Sequence, residues 1–336
     1  MSQPEPQRSP LRTIARWAVV LVIFGFIARS LILNWDELAK ADLHFDAPLL
    51  LLSFALLAAW MLGQALIWHL LTLTSGVGIP LPRALAAWFY SQLGKYLPGK
   101  VFLYLGRLHF YVKEGQPVGP VTVAFGVETI GNFAASIFTV LIAVMTADVP
   151  GLDSYRWALA AALAVLLIAL HPRVIGWLIQ VMARLLRRRP FEVSLTYPQL
   201  IRYLGLYVAN WFLFGVALYV FIQSFYPLEL SSILYLTGAF SFASMLGILA
   251  VFAPSGLGVR EGILALFLGQ VMPTSVALVV AVASRVWLTI VELAAAGVVY
   301  LLVRFRWNDE GIAEVWDSAE QMTLNDGTQG DVEESG

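Results

Sequence analysis

The chain has 336 residues, 59% of them hydrophobic and only 13% Asp, Glu, Lys or Arg, against about 25% charged residues in an ordinary soluble domain. A globule of this length cannot bury so much apolar surface, so composition excludes a soluble fold and points to an integral membrane protein. The net charge of −1 hides an asymmetry: residues 307–336 hold nine acids and no Lys or Arg, which leaves 21 basic against 13 acidic residues in 1–306, a net of +8.

In chain order, residues 1–16 form a polar N-terminal segment carrying Arg8, Arg12 and Arg16. The apolar run that follows, 17–33, has no small-residue cleavage site behind it and predicts a first membrane helix of uncleaved signal-anchor character. Runs at 48–73, 119–146, 156–171, 203–225 and 231–253 meet or nearly meet the roughly 20 residues that a spanning helix needs. The stretch 259–303 is interrupted by Pro273 and Arg285, giving two spans, or one re-entrant segment and one span. The predicted fold is all-α and polytopic, with about eight passes, or seven in the second case. A transmembrane domain over 17–306 would then be followed by an acidic tail, 307–336, that lacks a core-forming pattern and is expected to be partly disordered.

Orientation follows from Lys and Arg, which accumulate in cytoplasmic loops. The N-terminal segment, the 74–120 and 172–202 connections, Arg260, Arg304 and Arg306 together hold 17 of the 21 basic residues. The alternating loops carry Asp36, Glu37, Asp42, Asp46, Asp148, Asp153 and Glu229, against Lys40, Arg156 and Arg29. Both termini are expected in the cytoplasm, and the protein in the cytoplasmic (inner) membrane.

Two segments look broken rather than looped. In 84–110 the apolar sequence is cut by Gly94, Pro98, Gly99 and Gly106, and in 254–272 by Pro254, Gly256 and Gly258. Irregular backbone at membrane depth is tolerated only where protein covers it or a cavity wets it, so both are predicted to be re-entrant or broken helices. They share a loose pattern, SQLG, LPGK and LGR at 91–107 against SMLG, APSG and LGVRE at 244–261, as in transport folds built from repeats. A helix N-terminus attracts anions, and guanidinium grips phosphate in a bidentate manner. Lys100, Arg107 and Arg260 are therefore phosphate candidates at the cytoplasmic face; the plainer reading makes them interfacial anchors.

Glu128, Arg285 and Glu292 lie inside predicted spans, where a central charge costs about 2.5–3.5 kcal/mol and needs a partner or a wet cavity. Asn132 shares the face of Glu128, and a Glu128 to Arg285 contact is expected, either as a transport element or as an interhelical clamp. The histidines at 44, 69, 109 and 171 lack metal-ligand spacing, no cysteine is present, and no phosphate-binding, dinucleotide or nucleophile-elbow motif occurs. No metal, cofactor or nucleic-acid partner is expected.

The segments LGKYLPGKVFLYLGR (93–107), the span with Glu128 and Asn132, and above all APSGLGVREGIL (253–264) resemble the membrane, flippase-like domain of the lysylphosphatidylglycerol synthase/flippase family over about 11–305. In full-length relatives this domain translocates lipid and is joined to a cytoplasmic aminoacyl-transferase domain. The sequence shows no such domain after the membrane part, so the resemblance implies a stand-alone, non-enzymatic protein that binds or moves a phospholipid or another anionic amphipathic lipid. Lys100, Arg107 and Arg260 would hold the phosphate, Arg285 would add charge, and Glu128 and Asn132 would meet the headgroup. The alternative is a membrane scaffold or accessory subunit in envelope-lipid or lipid-linked glycan synthesis, docked to a partner membrane protein.

Overall fold

A computed structural model describes residues 44–94, 101–146, 152–185, 195–250 and 256–307. Among them every regular element is a helix: α1 (Ala47–Thr74), α2 (Leu81–Leu93), α3 (Val101–Lys113), α4 (Val118–Thr146), a 3-10 turn (Leu152–Tyr155), α5 (Arg156–Ala169), α6 (Pro172–Leu185), α7 (Tyr197–Gln223), α8 (Ser232–Leu249), α9 (Val259–Leu268) and α10 (Thr274–Trp307). Helices α1, α4, α7, α8 and the Thr274–Val299 part of α10 are long and apolar enough to cross a membrane; α5 and α6, bent by 62°, make a sixth span if taken together. The runs expected at 48–73, 119–146, 203–225 and 231–253 thus correspond to α1, α4, α7 and α8. The first expected pass, 17–33, the N-terminal segment and nearly all of the acidic tail lie outside the described residues.

A count of eight passes requires 259–273 to cross as well. At about 1.5 Å per residue, the ten residues of α9 reach about 15 Å, half of a hydrocarbon core of about 30 Å. Helix α9 is therefore too short to cross alone, and of 259–303 only α10 is long enough to span. The helices turn leucine-rich faces outward, among them Leu51, Leu62, Leu66 and Leu73 of α1, as lipid contact permits, while Leu57, Met61, Trp68 and Leu71 of the same helix are buried.

The chain divides into two compact units that both draw on the long helices. The first comprises residues 1–60, 133–165 and 208–291. Its core is aromatic: Phe214 stacks on Phe240 at 3.9 Å, Phe221 stacks on Trp287 at 4.7 Å, and Trp60 meets Phe214 edge-on at 5.1 Å. Small residues let helices approach closely where lipid supplies no hydrophobic drive between them. A Cβ on Gly238 of α8 would stand 2.4 Å from the Ala143 Cβ and 3.1 Å from the Thr139 carbonyl of α4, beside a 2.8 Å bond between the Thr139 and Ser241 hydroxyls. Gly238→Ala is therefore expected to destabilise by about 1–3 kcal/mol, read as an earlier thermal transition in detergent. Gly205→Ala, which meets nothing within 4 Å on α7, should leave the transition unchanged or raise it.

The second unit comprises residues 61–132, 166–207 and 292–336. Here the Tyr203 hydroxyl donates to the Leu70 carbonyl at 2.7 Å, and the hydroxyls of Thr72 and Tyr111 lie 3.1 Å apart. The turn after α1 uses Gly76 at φ 74°, and Pro80 sets the entry to α2.

Each unit contains one helical hairpin. In the second, α2 and α3 pack together, and an ion pair between Arg83 and Glu114 ties the start of α2 to the residue after α3. In the first, α8 and α9 pack together, and the Tyr235 hydroxyl donates to the Phe267 carbonyl at 2.8 Å, so the start of α8 is level with the end of α9. The two broken segments expected at 84–110 and 254–272 are these hairpins.

Candidate functional site

In the second unit, the LGR sequence places Arg107 midway along α3, where it is 2% exposed. Its Nη1 donates to Glu128 Oε2 of α4, and its Nε donates to the Ser91 hydroxyl of α2 at 3.2 Å. The indole N–H of Trp88 reaches the other Glu128 oxygen at 3.4 Å. The guanidinium lies over the rings of Trp68, Phe125 and Trp88 at 4.4, 5.2 and 6.0 Å, which offsets part of its desolvation through cation–π attraction. Asn132 donates to the Glu128 carbonyl at 3.3 Å and accepts from Gln64 at 3.2 Å. Glu128 stands ten residues into α4, about 15 Å from its start. The arrangement is a charge-neutral clamp between the hairpin and the following span.

In the first unit, the break before α9 supplies a different chemistry. Gly258, at φ 81°, begins the helix, and its N–H donates to Glu261 Oε2 at 2.6 Å. The other Glu261 oxygen faces Nη2 of Arg260 at 3.3 Å and Nη1 of Arg285, on α10, at 3.8 Å. Glu261 is 2% exposed and the two arginine side chains are 12% and 13% exposed, with Nε and Nη2 of Arg260 buried. The Arg260 guanidinium stands 5.3 Å over Phe240. Both arginines face the one carboxylate of Glu261.

Glycines make the break. Gly256 holds φ 69°, and a Cβ there would fall 2.7 Å from the Gly247 carbonyl oxygen and 2.8 Å from its Cα. Gly247 in turn leaves room for the Arg260 Cβ. Gly256→Ala combines a left-handed backbone with a collision against main chain, so it is expected to cost at least about 1–3 kcal/mol. Thermal unfolding in detergent should show the loss, and an unchanged transition would mean that the loop repacks freely.

The structure redistributes the expected partners. The contact expected between Glu128 and Arg285 is replaced by two others: Glu128 pairs with Arg107, and Arg285 with Glu261. The reason is local, since each cation or anion on a short hairpin helix faces the span that immediately follows it. Arg285, the neighbour of Arg260 in the cluster, stands eleven residues into α10, about 16 Å from the start of that helix. Lys100, Pro98, Gly99 and Pro254 lie outside the described residues. Sequence reasoning did not single out Trp68, Trp88, Ser91 and Phe125, which enclose Arg107. It placed Glu261 in the first turn of a helix without anticipating that this carboxylate would join both arginines.

Spanning helices, broken hairpins and intramembrane ionic clusters define a polytopic all-α integral membrane protein. The family described as "Lysylphosphatidylglycerol synthase TM region" matches residues 13–297, and the chain belongs to that family. No curated protein matches the chain. Membership ties the protein to membrane lipid.

Proposed function

We propose that this protein binds an anionic lipid headgroup at Arg260 and Arg285 and moves the lipid between leaflets of the cytoplasmic membrane, with no chemical conversion. The observation that carries this reading is the convergence of two arginines, Arg260 of α9 and Arg285 of α10, on the carboxylate of Glu261. Intramembrane charge is expensive and is kept where it meets a partner or substrate. A phosphate diester accepts bidentate bonds from guanidinium. Phe240 floors the site, and the glycine break lets backbone approach the headgroup. Arg107, enclosed by Glu128 and three rings, positions the α2–α3 hairpin against α4, with Glu128 and Asn132 reserved for that clamp.

Liposomes containing the purified full chain and fluorescent phosphatidylglycerol test the reading. Protein-dependent exchange of the probe between leaflets is expected, reduced at least tenfold by Arg260→Gln and by Arg285→Gln at equal incorporation. Exchange that these substitutions leave unchanged overturns the assignment. Exchange no faster than in empty liposomes favours the scaffold reading.

A further inference from the structure

We infer that α6 lies along the cytoplasmic surface of the membrane and that its exposed stripe of Arg173, Trp177, Gln180 and Arg184 docks on the phosphates of anionic lipids in that leaflet. The stripe follows from helical spacing. At about 100° per residue these positions fall within an arc of about 60°, and all of them are exposed, Trp177 by 58%. Ile175 and Ile179 stand on the opposite side of the helix and are buried. Isoleucines thus hold α6 to its own unit, while a tryptophan between two arginines faces outward.

Geometry puts this stripe at a membrane surface. The ring of His171, just before α6, lies 5.1 Å from the ring of Tyr197, the first residue of the spanning helix α7. Helix α6 therefore begins level with the end of a span, and Arg202 is exposed on α7 about 8 Å from that same end. Running inward from there, α6 would carry Arg184 about 18 Å deep, to the middle of a hydrocarbon core about 30 Å thick. An arginine at that depth is expensive, and the sequence from Ser154 to Phe191 contains no acid to offset it locally. Lying along the surface, the same arginines meet water and phosphate.

Charge and side-chain chemistry select the occupant. Arg187, Arg188 and Arg189 continue the basic run in sequence, and such a segment belongs in the cytoplasm by the positive-inside rule. There, anionic headgroups create a negative surface potential that attracts clustered arginines. Guanidinium grips phosphate in a bidentate manner, and the amphipathic indole of tryptophan settles at headgroup level. The docking holds lipid at rest and uses none of the residues to which transport is assigned above.

The sequence contains no cysteine, so Gln180→Cys in the full chain can carry a single nitrobenzoxadiazole fluorophore on the stripe. The labelled protein is reconstituted in phosphatidylcholine liposomes with a minor fraction of lipid spin-labelled high on its acyl chain, bearing either a phosphatidylglycerol or a phosphatidylcholine headgroup. Both lipids should quench the fluorophore, phosphatidylglycerol about fivefold more strongly, as one arginine near an anionic surface would produce. The preference should vanish when Arg173→Gln and Arg184→Gln are added, and in the parent at about 1 M salt, where the Debye length falls to about 3 Å. In inside-out membrane vesicles, impermeant dithionite should bleach the fluorophore, and in right-side-out vesicles it should not. Equal quenching by the two lipids, or a preference that survives the double substitution, overturns the anionic-lipid assignment. Quenching by neither lipid, the result if water or an acidic protein segment covers the stripe, overturns the surface location, and bleaching only in right-side-out vesicles overturns the cytoplasmic placement.

Discussion

Arg107→Met is expected to be among the most destabilising single substitutions in the protein, shifting thermal unfolding in detergent by the equivalent of about 3–5 kcal/mol. The substitution leaves the Glu128 carboxylate buried with only the distant Trp88 N–H at 3.4 Å, and an uncompensated buried charge carries a penalty of that order. It also empties the space under Trp68 and Phe125. Adding Glu128→Gln removes the stranded charge, so the double variant should recover most of the loss. Comparable instability in the single and double variants would assign the effect to packing around the three rings instead of to the ion pair.

Glu261→Gln is expected to act in the opposite sense on ligand binding. Glutamine keeps an oxygen that accepts the Gly258 N–H, as either residue does at this place in a helix N-terminus, but it removes a carboxylate that faces both Arg260 and Arg285. The unliganded protein should lose stability, because an anion that faces two partly buried guanidiniums is neutralised. An anionic lipid should then bind about tenfold tighter, equivalent to about 1.4 kcal/mol, and raise the thermal transition by more than it does in the parent. Glu261→Ala loses the helix cap as well and should unfold earlier than Glu261→Gln in the absence of lipid. Equal or weaker lipid binding by Glu261→Gln would show that the carboxylate does not compete with the ligand.

The cost of distorting the break separates from these effects. Gly256→Ala acts through a backbone conformation and a collision with Gly247, without changing a charge, and its penalty should persist whether or not lipid is present. Together the three substitutions distinguish a clamp, an anion site and the strained turn that presents it.

The long apolar runs were legible because a helix that faces lipid must be apolar along its length, and α1, α4, α7 and α8 follow those runs closely. The breaks were legible as well, since glycine and proline interrupt helices whatever the surroundings. The partners of the buried charges were not. Glu128, Arg107, Glu261 and Arg285 are separated by 21 and 24 positions within their pairs, and no helical periodicity links such distances. The aromatic enclosure of Arg107 was equally hidden, because Trp68, Trp88 and Phe125 come from three helices and read as ordinary membrane residues.

By itself, then, the sequence determined that this is an all-α membrane protein, where its helices run, where two of them break and which charges lie at membrane depth. These are properties of a chain meeting lipid, and each depends on residues close in sequence. Tertiary structure decided which charges meet, that Arg107 is enclosed by rings while Arg260 and Arg285 converge on Glu261, and that α9 ends after about 15 Å. Those outcomes depend on close approach between segments distant in sequence, at Gly247 against Gly256 and at Tyr235 against Phe267, and only the folded packing brings such segments together.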